Sequence, residues 1–236
     1  MQRLLGGALK FGNHVFRGKR HLFESLQKGQ KPTALFITCA DSRICPTLIT
    51  QTDPGELFVI RNAGNIVPPA GSAGGEAATI EYAINALGIR DIIVCGHSHC
   101  GAMAGALDHP DGIEGLPFLS QWLRHVAAAR GVVVAEYTNA PREQQLEILT
   151  EANVLLQIEH LSTHPVVARA LARDELDIHG WIYRFETGQI SSFELATGKF
   201  REIGELLTEL PADSESVPGL AADFRSSPMI RAIRGD

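Results

Sequence analysis

Three short apolar runs constrain this chain more than any other feature. Residues 33–39, 56–61 and 91–95 are almost continuously apolar, too short for helices, and bounded by Pro, Gly or Asn. Such runs read as strands buried on both faces. Between the second and third, Gly74-Gly75 opens a segment in which Ala77, Ile80, Ile84 and Leu87 recur at helical spacing, and Gly88 supplies a C-terminal stop. Strand, helix, strand in that order implies a parallel sheet with right-handed crossovers. The expected fold class is α/β, with a mostly parallel central sheet flanked by helices.

Residues 1–28 read as a helical arm carrying apolar positions at Leu4, Leu5, Ala8, Leu9, Phe11, Val15, Phe16, Leu22, Phe23 and Leu26. Helices are expected from residue 102 to 107, within 118–134, and over 141–161, where Leu146, Leu149, Val154, Leu155 and Ile158 form an amphipathic face. Residues 179–185 alternate apolar and polar, and Thr187-Gly188 leads into 190–195, a hairpin expected at the sheet edge. From Pro211 onward Pro, Ser, Asp and Gly dominate, as in a loosely ordered tail. The expected division is an arm over 1–28, a central domain over 29–205 and a tail over 206–236.

A net charge of -6 argues against nucleic acid as a partner, since phosphate binding needs clustered Lys and Arg. No apolar run approaches the roughly 20 residues of a membrane span. The N-terminal apolar stretch is too short for a signal peptide and is interrupted by Lys10, so a cytoplasmic location is expected. In a reducing compartment the four cysteines are expected to serve metal or catalysis, not disulfides.

Two of the apolar runs end in reactive clusters, Cys39-Ala40-Asp41-Ser42-Arg43 and Cys95-Gly96-His97-Ser98-His99-Cys100-Gly101. The C-terminal ends of parallel strands are where such sheets place ligands. Two thiolates and an imidazole are a donor set that zinc accepts tetrahedrally, and three protein ligands leave a fourth position for water or substrate. The structural reading of isolated buried Cys and His residues is outweighed by the coincidence of both clusters at strand ends. His99 is a rival ligand, but His97-x-x-Cys100 closes a chelate around a turn more readily than adjacent His99-Cys100. Cys45 and Cys95 are read as structural, Cys95 as the last strand residue.

Cys39-x-Asp41-x-Arg43 with His97-x-x-Cys100, separated by the Gly-Glu-Leu-Phe-Val-x-Arg-Asn segment at 55–62, resembles the β-class carbonic anhydrases, from near residue 1 to about residue 200. That resemblance implies Zn2+ held by Cys39, His97 and Cys100, with Asp41 and Arg43 as a catalytic pair and Asp41 as a fourth ligand only in a closed state. It also implies N-terminal helices that pack on a partner subunit in an obligate homodimer or higher homo-oligomer. Gln30, Cys45-Pro46 and Val67-Pro68-Pro69 are similar to the plant-like branch, where Gln30, Phe58 and Tyr82 fall on pocket-lining positions and Gly101 on a backbone amide donor. Ala86 departs from the His that plant members carry near the proton exit. Phe36 stands where bicarbonate-regulated members carry Trp, although Arg61 and Tyr183 match the rest of that pocket, so cooperative bicarbonate inhibition is not expected. The arm and the run from Ile93 to Met103 also resemble carboxysomal members from cyanobacteria, which implies a scaffold partner and a carboxysomal location.

The expected activity is zinc-dependent reversible hydration of CO2 to bicarbonate and a proton, by hydroxide on the zinc oriented by the Asp41/Arg43 pair. His21, His109 and His125 are proton-relay candidates by residue type alone. The alternatives are a CS2 or COS hydrolase on the same scaffold, a structural zinc module with Asp41 as permanent fourth ligand, and a non-catalytic carboxysome-recruited protein.

Overall fold

The computed structural model describes residues 1–72 and 74–209. The three apolar runs form β1 (Ala34–Cys39), β2 (Leu57–Asn62) and β3 (Asp91–His97), and they are joined by β4 (Asp177–Tyr183), β5 (Ile190–Glu194) and β6 (Lys199–Glu202). Among the described residues they make one six-stranded sheet, in the order β2-β1-β3-β4-β5-β6. The pairings β1 with β2, β1 with β3 and β3 with β4 are parallel, whereas β4 with β5 and β5 with β6 are antiparallel. Every residue of β1 is buried, as a central strand covered on both faces requires.

Alternation along the strands sends side chains to two layers. Leu35, Ile37, Ile92 and Val94 pack with Ile80 and Ala83 of the Gly75–Asn85 helix and with Val154 and Ile158 of the Arg142–Thr163 helix. Phe36, Ile93 and Cys95 pack with Met103 of the Gly101–Asp108 helix, with Val126 and with Val133. The long helix lies close to the sheet because β3 and β4 carry glycines beneath it. A Cβ at Gly96 would stand 2.9 Å from Val154 Cγ2 and 3.1 Å from Ile182 Cδ1.

Four expectations change in detail. β3 continues two residues past Cys95, because Gly96 and His97 go on pairing with Ile182 and Tyr183, so Cys95 is an interior strand residue. The hairpin of β4 and β5 forms, but β4 is an inner strand parallel to β3, and β6 takes the edge. A Pro165–Ala172 helix, opened by the proline and contributing Val167 and Leu171 to the core, was not anticipated. The Ile203–Glu209 helix runs across the expected boundary at 205 and buries Leu206, and the remainder of the tail lies outside the described residues.

The arm consists of Gln2–Lys10, a π-helical turn Phe11–Val15, Phe16–Gly18 and Arg20–Leu26. None of these segments buries a residue within the chain. Leu4 is 70% and Leu9 68% exposed, while Phe16 and Phe23 stack at 5.1 Å between ring centroids and Phe11 meets them edge-on at 6.4 and 5.6 Å. Among the described residues no helix is long and apolar enough to cross a membrane.

Adding a methyl group at Gly96 must lift the long helix or push Ile182 aside. Gly96→Ala is expected to lower stability by about 1–3 kcal/mol, the usual range for overpacking, read as a shift in the denaturant midpoint with an unchanged slope.

Candidate metal centre

Parallel pairing places β1 and β3 side by side with Thr38 opposite Cys95, so Cys39 and His97, each the last residue of its strand, emerge at one end of the sheet. Cys100 follows a tight turn and caps the Gly101–Asp108 helix. That turn puts His99 in the left-handed region, at φ 54°. The sulfurs of Cys39 and Cys100 and a ring nitrogen of His97 lie within 4.8 Å of one another, and all three residues are buried. The sulfurs are 4.0 Å apart. Two thiolates each about 2.3 Å from a tetrahedral zinc would stand roughly 3.8 Å apart.

The imidazole is oriented for ligation. His97 Nδ1 lies 2.8 Å from the Ser98 carbonyl oxygen. A carbonyl only accepts, so Nδ1 carries the hydrogen and Nε2 keeps its lone pair. Nε2 is buried and has no hydrogen-bond partner. An orphaned lone pair facing two sulfurs fits a metal ion and is costly without one. Between the two sulfurs the Cys100 thiol donates to Cys39 and, with help from the Gly64 and Asp41 amides, holds the Cys39 thiol down at about 4 against burial. Cys100 is correspondingly raised, first by Cys39 and then by burial.

Asp41 and Arg43 form a forked pair. Arg43 Nε donates to Asp41 Oδ1 at 2.9 Å and Nη2 to Oδ2 at 2.7 Å, while the Arg43 amide also donates to Oδ1 at 2.9 Å. Nη2 reaches the His99 carbonyl oxygen as well, at 3.0 Å. The Arg43 hydrogen bonds, from the guanidinium first and the backbone amide second, hold the Asp41 carboxyl well below the usual carboxylate range.

Several supporting groups left no mark in the sequence pattern. Gly64 donates its N–H to Cys39 Sγ at 3.4 Å, and its carbonyl accepts from Asn153 Nδ2 at 3.0 Å. Gln157 Nε2 donates to Asn153 Oδ1 at 2.8 Å, and Gln157 Oε1 accepts from the Val67 amide at 2.9 Å. Asn153 and Gln157 are wholly buried, so the long helix reaches the ligand through a satisfied polar ladder. Gly64 is at φ 83°, and a Cβ there would stand 2.8 Å from Met103 Cε.

Other expected residues fall elsewhere. Phe58 pairs with Leu35, four positions back from the Cys39–Asn62 pair, hence roughly 13 Å away along the sheet at about 3.3 Å per residue. Its ring meets that of Tyr82 at 6.0 Å, and Tyr82 is half exposed. Gln30, exposed, precedes β1 at the same end. One chain therefore separates Gln30, Phe58 and Tyr82 from the ligand triad, whereas Gly101 adjoins it. The rival ligand His99 is exposed, its imidazole pairs with Glu186, and the grouped ligand atoms are those of Cys39, His97 and Cys100. Phe36 is fully buried against Trp181, and Arg61 donates to the carbonyls of Cys39, Asp41 and Ile44, fastening the loop after β1. Burial pushes the Cys95 thiol up to about 12, as an inert core thiol requires, while Cys45 is exposed. His125 packs on Trp122 and His160, and its pKa is lowered, first by burial. His21 and His109 are exposed.

The family model described as carbonic anhydrase matches residues 34–190. A carbonic anhydrase from Synechocystis sp. is 46% identical over 219 residues, 92% of this chain and 80% of that protein. The solved structure of the β-carbonic anhydrase CcaA superposes with a TM-score of 0.84 at 48% identity, covering 86% of this chain and 98% of that one. One of two tetrameric β-carbonic anhydrases from Sordaria macrospora superposes with a TM-score of 0.71 at 31% identity, covering 86% and 96%. The chain belongs to the carbonic anhydrase family, in its β class.

Because the Asp41 pKa is depressed in the folded state, the pair contributes stability above the unfolded carboxylate value of about 3.9 and loses it as pH falls through the lower folded value. In metal-free protein the Asp41 carboxyl carbon resonance is expected to titrate well below pH 3.9, and Arg43→Ala to return it toward that value. A wild-type midpoint near 4 would contradict the geometry.

Proposed function

We propose that the chain is a zinc enzyme that interconverts CO2 and bicarbonate, acting as a homo-oligomer whose subunits complete one another's pockets. The observation that carries this reading is the buried Cys39–His97–Cys100 set, its Nε2 lone pair free, beside a carboxylate gripped on both oxygens. Bound there, Zn2+ would act as a Lewis acid that lowers the pKa of water to about 7 and supplies a nucleophile at neutral pH.

The protein's own contribution is orientation. Asp41 retains lone pairs beyond those used by Arg43 and can accept a hydrogen bond from water in a fixed direction. A forked guanidinium resists rotation of the carboxylate better than a lysine would. The fork on both oxygens holds the carboxylate toward Arg43 and would have to loosen for Asp41 to turn into a fourth ligand, which favours an open catalytic site over a closed structural one. Gly101 opens its helix, so its N–H has no intrahelical acceptor and can stabilise charge on a substrate oxygen.

CO2 is small and apolar, and its walls would come from Phe58 and Tyr82, with Gln30 as a polar donor. Their separation from the triad within one chain supports a pocket shared with a second copy. The exposed apolar stripe of the arm offers that copy a surface, and the tetrameric Sordaria relatives support a homo-oligomer. The likeness of the arm and of residues 93–103 to carboxysomal members supports a cytoplasmic protein of the carboxysomal type with a scaffold partner, and the Synechocystis carbonic anhydrase adds a cyanobacterial relative. CO2 is preferred to CS2 or COS because the relatives are carbonic anhydrases.

The primary test is stopped-flow CO2 hydration with and without a zinc chelator. Cys39→Ser and His97→Ala should lose zinc by elemental analysis together with activity. Asp41→Asn should keep the metal and lose about a hundredfold or more of kcat at pH 7. Full zinc occupancy in either ligand variant would overturn the ligand assignment.

Sedimentation should give a dimer or a multiple of it at micromolar concentration. Substituting Leu5 and Leu9 with Glu should release monomers that bind zinc but hydrate CO2 poorly. A fully active monomer would refute the shared pocket.

A further inference from the structure

We propose that Phe185 is a positioning residue that locks the ligand His97 and the Asp41–Arg43 pair into one unit, using the face of its ring to hold the Arg43 guanidinium. This rests on the reading of Asp41 and Arg43 as the catalytic pair. The Phe185 ring stands 5.0 Å from the His97 imidazole, and Arg43 Cζ lies 4.6 Å from its centroid. The edge of the guanidinium is committed to Asp41 and to the His99 carbonyl, which leaves its faces for stacking. The Arg43 side chain is 52% exposed, so water competes for it. A guanidinium that open and lacking a ring partner would rock on its stem and carry Asp41 with it.

The ring is itself fastened to the ligand loop. The Phe185 amide donates to Ser98 Oγ at 2.9 Å, and Ser98 Oγ donates in turn to Glu186 Oε2 at 2.9 Å. The Ser98 amide donates to the Tyr183 carbonyl at 2.9 Å, and the Tyr183 ring meets Phe185 edge-on at 5.1 Å. Glu186 also pairs with the His99 imidazole. The segment following β4 is thus tied to residues 97–99 by backbone and side chain, and Phe185 projects from it onto both parts of the site. Cation–π attraction suits a guanidinium better than an aliphatic contact does, because the ring face is negative.

The test keeps the shape of the ring and removes its charge distribution. Mono-, di- and trifluorophenylalanine at position 185 should lower kcat for CO2 hydration in steps, to about a two- to fivefold loss, with KM, zinc content and Tm unchanged. The Arg43 Nε–H resonance should broaden in the same order, in zinc-loaded and in metal-free protein. Phe185→Tyr should behave as wild type, and Phe185→Leu as the trifluoro protein. A fluorinated series with constant kcat and a sharp Arg43 resonance would overturn the proposal, as would a Phe185→Leu loss that follows Tm while the fluorinated proteins stay at full activity. The metal-free resonance reports on the clamp whether or not the protein hydrates CO2, so failure of the catalytic reading is distinguishable from failure of the clamp.

Discussion

Two thiols and an imidazole, almost wholly removed from solvent at the ends of adjacent parallel strands, impose a cost that much of the molecule is arranged to offset. Burying such groups is unfavourable unless each finds a partner. Cys39 receives the Gly64 amide, His97 is oriented by the Ser98 carbonyl, and the remaining lone pair faces the two sulfurs. Parallel pairing of β1 and β3 makes the arrangement possible, because it brings two strand ends to the same side with no chain between them.

Around this centre the polar groups form layers and do not scatter. Arg61 gathers three carbonyls of the loop after β1, and the Asn153–Gln157 ladder carries the long helix to the Gly64 peptide. The ladder uses wholly buried amides that would be destabilising if left unpaired. Arg61 thereby fixes the loop after β1, and the ladder fixes the stretch from Gly64 to Val67 after β2. Rigid support of this kind is what a ligand set needs to keep its orientation.

The chain is asymmetric in what it completes alone. Ligands and the Asp41–Arg43 pair gather at one end of the sheet, while Phe58 and Tyr82 stand at the other on a surface that is partly open. No residue of the arm is fully buried in its own chain, and only Phe16, Leu22, Phe23 and Leu26 are partly covered. An apolar helix left so exposed needs a partner to be stable in water, and a second copy that covered the arm would also bring aromatic walls to a ligand triad.

The sequence by itself determined the sheet and the identity of its reactive ends. Continuous apolar runs fitted only strands buried on both faces, glycines and prolines bounded them, and paired Cys, His, Asp and Arg motifs stood at their termini. It also carried the helical character of the arm and the amphipathic face of residues 141–161. Tertiary structure alone decided which strands are neighbours, and hence that β4 is an inner strand and that β3 extends to His97, since pairing register depends on contacts distant in sequence. It alone paired the His99 imidazole with Glu186, and it alone placed Asn153, Gln157, Gly64 and Phe185 at the site. Those residues read locally as helix, turn or strand positions, and their roles arise from what lies opposite them in space, which no local period records.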